Sequence, residues 1–97
     1  MISNRSVPTD VLLPHVIVQD VEAAINWYSK AFGFSEHYRY GDPLSGAQIH
    51  LGNAWIMLNR ASNNRETPGK IGYGTQSLTV FVEDIAAHFQ TAKSAGA

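Results

Sequence analysis

The 97-residue chain has no cysteine, which excludes a disulfide framework, a thiolate nucleophile and a thiolate metal site. That absence suits a reducing compartment, so a cytoplasmic location is expected. Charge of either sign is scarce, with 7 Lys and Arg against 8 Asp and Glu, a formal -1 at pH 7. This leaves no basic stripe to track a nucleic-acid backbone and no polybasic patch for an anionic membrane. No apolar run approaches the roughly 18 residues that span a bilayer, and the N-terminus lacks the apolar stretch of a signal peptide. Residues 1–10 read as a flexible leader, and the glycosylation pattern Asn4-Arg5-Ser6 has no secretory context there.

What is present suits one small domain, since 44% of the residues are hydrophobic and 10% aromatic. The segment Val16–Ala23 recurs as Val80–Ala87, with Val, Val, Asp and Ala at matching places. Each copy reads as a strand running into a helix. Asp20 and Asp84 stand where an N-cap belongs, because a carboxylate there accepts orphan backbone N–H groups and meets the positive helix end.

A first helix is predicted over 21–32, where Val21, Ala24, Ile25, Tyr28 and Phe32 share one face and Gly33 supplies a left-handed stop. Trp27 falls off that stripe, as a rim or interface residue. In the second copy Ile85, Phe89 and Ala92 form the equivalent stripe, ending at Ala95-Gly96. Between the helices a strand is expected at 34–40, a turn at 41–46 and a hairpin on Gly52-Asn53, whose primed turn sets Leu51 opposite Ala54, His50 opposite Trp55 and Gln48 opposite Met57. One face of that hairpin is then aliphatic (Ala47, Ile49, Leu51, Ala54, Ile56, Leu58) and awaits the helix. The other carries Gln48, His50, Trp55, Met57 and Asn59, a mixture suited to holding a ligand. Residues 60–75 have no period and read as a linker.

Obvious catalysts are few. Asp20 and Asp84 cap helices, Asp42 belongs to a turn and Glu66 to the linker, so no carboxylate pair is available. Glu36 is the one acid well inside a predicted strand, and an outward, solvated position is expected for it. His37 and His88 are expected to be surface residues. The inward face of strand 34–40 is open between Tyr38 with Tyr40 and His37 with Arg39.

The phrases Leu13-Pro14-His15-Val16-Ile17-Val18-Gln19-Asp20 and Ser77-Leu78-Thr79-Val80-Phe81-Val82-Glu83-Asp84, with Ala24-Ile25-Asn26-Trp27-Tyr28, Ala31-Phe32-Gly33 and Ala95-Gly96-Ala97, carry a resemblance. Over residues 11–97 the chain resembles the vicinal oxygen chelate superfamily of glyoxalases, bleomycin-resistance proteins and extradiol dioxygenases. The resemblance implies an α+β fold: a βαβββ module at 11–59, a linker at 60–75, and at 76–97 the first strand and helix of a second module that stops before its last three strands. Either the sequence is part of a longer chain, or two copies associate into a homodimer that shares one cupped sheet.

The resemblance also locates the family's metal ligands. The first-strand positions fall on Leu13 and Ser77, the fourth-strand position on Met57, and a last one would lie beyond Ala97. None of these side chains offers the imidazole or carboxylate that Zn, Fe or Ni requires, so no metal is expected. The implied site is a cup lined by His15, Gln48, His50, Trp55, Met57, Asn59, Ser77, Thr79 and Phe81, binding a small organic molecule, aromatic or cationic. Alternatives are a lyase or dioxygenase holding Zn, Ni, Fe or Mn through displaced ligands around His15 and His50, an isomerase using Glu36, and a purely structural dimerisation module.

Overall fold

The computed structural model describes residues 12–97; the leader expected at 1–10 lies outside them. The elements run β1 (His15–Val18), α1 (Val21–Phe32), β2 (Ser35–Tyr40), β3 (Gly46–Leu51), β4 (Ala54–Arg60), α2 (Pro68–Ile71) and α3 (Ile85–Ser94). This is the βαβββ module in the expected order.

Helix α1 starts and stops where its sequence dictates. The Asp20 carboxylate accepts from the Ala23 N–H at 3.0 Å, and Gly33 closes the helix at φ 81°. The same capping recurs at α3, where Asp84 accepts from the Ala87 N–H at 2.9 Å. The β3–β4 hairpin has the predicted register, Leu51 against Ala54, His50 against Trp55 and Gln48 against Met57. Gly52 has φ 57° while Asn53 keeps a negative φ, which fits the type II′ member of the primed turns.

The four strands make one sheet in the order β1-β4-β3-β2, with β1 parallel to β4 and the other pairs antiparallel. Its aliphatic face takes α1. Val21 and Ile25 pack against Phe34, Ala47, Ile49, Ile56 and Leu58, with Val16, Val18 and Leu51 at the margin. Burial of each large aliphatic side chain in that cluster contributes about 1.5–3 kcal/mol. The alternate positions of β1, β3 and β4 therefore face away from α1.

The second half departs from expectation in three places. Thr67-Pro68 with Gly72 at φ 91° builds α2, a single turn inside the expected linker, using Thr67 as N-cap and Pro68 in its first turn. Residues 77–82, read as a strand, carry no ladder. A strand exists only by hydrogen bonding to a neighbour, and among the described residues the tie to β1 is a side-chain bond from Gln76, just before this segment, whose Nε2 donates to the His15 carbonyl at 3.0 Å. Helix α3 buries Ala92 and lies along α1, with His88 beside Phe32 at 5.4 Å between ring centroids. Its Ile85 and Phe89 are left exposed, because among the described residues no second sheet lies beneath them.

Candidate ligand-binding face

The sheet face turned away from α1 is organised around two clusters. In the first, antiparallel pairing puts His50 directly opposite Trp55, and their rings stack at 4.5 Å with 23° between planes. His37 meets the same indole edge-on at 5.0 Å. Trp55 is therefore buried, with one face taken by an imidazole instead of standing open as a flat platform. The carbonyl of Gly52 can only accept, so at 3.3 Å it assigns the proton of neutral His50 to Nδ1 and leaves Nε2 as the acceptor.

In the second cluster the parallel β1–β4 register sets Ile17 beside Asn59 and His15 beside Met57. Tyr40 donates its hydroxyl to Asn59 Oδ1 at 3.2 Å, and Asn59 Nδ2 reaches His15 Nδ1 at 2.7 Å. An amide nitrogen has only hydrogens to offer, so neutral His15 accepts at Nδ1 and carries its own proton on Nε2. Tyr40 reaches Asn59 because its ring lies over Gly46, where a Cβ would collide with it. Burial raises the Tyr40 phenol above its ordinary range.

The open question about β2 is settled by a bulge. Register shifts between Glu36 and Tyr38, so that Tyr38 pairs with Gln48 and Tyr40 with Gly46. The inserted His37 turns to the Trp55 side together with Tyr38 and Tyr40. Glu36 and Arg39 fall on the α1 side, where the guanidinium binds Glu36 at 2.6 Å and Glu22 of α1 at 2.8 Å. The hydrogen bond from Arg39 holds the Glu36 carboxyl below its ordinary range, and the pair stands on the α1 side, away from the imidazoles.

Of the predicted site residues, His15, Gln48, His50, Trp55, Met57 and Asn59 share this face, with Gln48 and Trp55 buried and Met57 half-buried. Ser77, Thr79 and Phe81 do not join them. Ser77 lines a separate cavity, and Phe81 is 94% exposed, because the unladdered segment does not extend the sheet. Sequence reasoning left His37, Tyr38 and Tyr40 undecided, and only the bulge selects them.

That separate cavity, about 520 Å³, lies on the helix side between α1, residues 76–82 and α3. Its walls include Tyr28, Phe32, Leu78, Val80 and Val82, apolar side chains of the kind a core uses. Burial raises the Tyr28 phenol above its ordinary range there.

Among the described residues no three His, Asp or Glu side chains converge as ligands. No helix among the described residues is long and apolar enough to cross a membrane.

A four-stranded mixed sheet covered on one face by the helix that follows its first strand, and polar on the other, is the module of a known superfamily. The sequence model of the Glyoxalase/Bleomycin resistance protein/Dioxygenase superfamily matches residues 11–97, and the chain belongs to that superfamily. An uncharacterized protein of Mycobacterium bovis is 33% identical over 94 residues, covering 89% of this chain and 62% of its own length. An uncharacterized protein of Mycobacterium tuberculosis matches at the same identity over 55% of its length, so the chain spans little more than half of these curated relatives. Among solved structures, TioX from Micromonospora sp. ML1 superposes with a TM-score of 0.66 at 22% identity, over 91% of this chain and 71% of that one. A structure from the mobile metagenome of V. Pseudocholerae gives 0.56 at 14% identity, over 99% and 71%. These two likenesses concern the fold.

Proposed function

We propose that the chain binds a small planar organic molecule, without a resident metal, on the sheet face turned away from α1. The observation that carries this reading is the pair of clusters on that face, His37–Trp55–His50 and Tyr40–Asn59–His15, with half-buried Met57 between them. Aromatic and thioether surface supplies apolar contact, and the oriented imidazoles supply hydrogen bonds that fix a ligand's direction. A structural sheet face would need no such oriented polar chain.

A second copy of the chain is the partner we propose to complete the cup. Leu78, Val80, Val82 and Phe81 remain exposed beside edge strand β1, and unpaired edges with apolar neighbours recruit further strands. A strictly monomeric elution at high concentration would count against this partner.

The binding reading is tested in a Trp27→Phe background, which leaves Trp55 as the remaining tryptophan. Saturable quenching of its fluorescence by a panel of planar aromatic compounds is expected, with the metal content by elemental analysis far below one per chain. Trp55→Ala, read by calorimetric titration with the same compounds, should weaken binding by more than about 1 kcal/mol. Unchanged affinity removes the assignment of this face, and near-stoichiometric metal with chelator-sensitive turnover would favour a metal lyase or dioxygenase.

A further inference from the structure

We infer that the ligand taken by this face is an anionic aromatic, an arenecarboxylate or phenolate, and that the face rejects aromatic cations. This rests on the binding face proposed above and adds the sign of its ligand. The four strands contain one carboxylate, Glu36, and it lies on the α1 side, held by Arg39. Three imidazoles, His15, His37 and His50, occupy the other side. A cation placed there would meet no carboxylate from the four strands, and the indole face, the aromatic surface that attracts cations best, is already occupied by His50 at 4.5 Å.

An anion meets the opposite situation. The chain from Tyr40 through Asn59 leaves His15 presenting its Nε2–H as a donor while the ring is still neutral, so the donor needs no proton uptake. A carboxylate or phenolate accepting from that N–H forms a charge-assisted hydrogen bond. His15 and His50 flank β4 on the diagonal, about 12 Å apart at their Cα atoms by ordinary sheet spacing, with Met57 as the floor between them. That span accommodates a bicyclic ring whose acidic group lies at His15 and whose far edge reaches the His50–Trp55 stack.

The test uses calorimetric titration of the full chain at pH 7 with three probes of one shape: 1-naphthoate, 1-naphthylmethanol and 1-naphthylmethylammonium. The naphthoate is expected to bind at least about tenfold more tightly than the ammonium, and His15→Phe to remove about tenfold of the naphthoate affinity while leaving the ammonium unaffected. Asn59→Asp, which adds a carboxylate to the face, provides a second variant and is expected to abolish the preference for the anion. Equal affinities, or tighter binding of the ammonium, overturn the anionic assignment and leave the binding face standing. Saturable binding by none of the three overturns both.

Discussion

The rings of His50 and Trp55 stack at 4.5 Å because the Gly52-Asn53 turn sets those two residues directly opposite on β3 and β4. The stack closes over an indole that is 7% exposed, against 36% for Trp27 on the surface of α1. The two tryptophans should therefore differ in their contribution to stability. Trp55→Ala removes a buried ring and its imidazole partners and should cost about 3 kcal/mol or more. Trp27→Ala loses edge contacts to Tyr28 and Phe32 and should cost clearly less. Urea unfolding of both variants checks the ordering, and equal losses would contradict the burial of Trp55.

Gly46 supports the other cluster. Its missing side chain is what lets the Tyr40 ring settle across the β2–β3 pair and bring its hydroxyl to Asn59. Gly46→Ala should displace that ring, cost about 1–3 kcal/mol as an overpacked site does, and release the amide that orients His15. The local effect is visible by nitrogen NMR as a change in the tautomer balance of His15. An unaltered tautomer with unaltered stability would show that Tyr40 does not depend on this glycine.

Much of this arrangement was legible in the residues because it is local. The hairpin register follows from one dipeptide, and α1 from its stripe and its two caps. The same logic correctly separated the aliphatic from the mixed face. What sequence could not supply depends on partners distant along the chain. The placement of His15 beside Asn59 needs the parallel pairing of β1 with β4, and the inward turn of His37 needs a bulge that no periodicity announces. The repeat at 80–87 foretold the second helix and its cap, but the strand before it needs a neighbour to bond with, so Ser77, Thr79 and Phe81 lie apart from the face they were assigned to. Thr67, Pro68 and Gly72 did contain the signal for α2, a cap, a first-turn proline and a left-handed stop, over a span too short for periodicity to register.

The two capping aspartates make matched tests of the two halves. Asp20→Ala and Asp84→Ala each remove one carboxylate bond to a backbone N–H and should each weaken their helix by about 1 kcal/mol. Helix α1 packs on the buried cluster, so the first loss should appear in global unfolding. Helix α3 leaves Ile85 and Phe89 exposed, so the second should appear as faster amide hydrogen exchange confined to α3. Identical effects on global unfolding would show that the two helices belong to one cooperative unit.

Glu36 determines one component of the acid response. Arg39 donates to both of its oxygens, at 2.6 and 2.7 Å, and this pairing holds the folded-state carboxyl below its unfolded value. Folding therefore favours the ionised form. The stabilisation is fully present above the unfolded glutamate value of about 4.3 and is lost as pH falls through the lower folded value, where protonation breaks the pair. Because the pair is solvent-exposed, the effect should be small and should shrink further in high salt. Glu36→Gln, which keeps the shape without the charge, should flatten the dependence of unfolding free energy on pH between roughly 5 and 3. An unchanged slope in low salt would mean that Arg39 is held instead by Glu22, its other partner at 2.8 Å on α1.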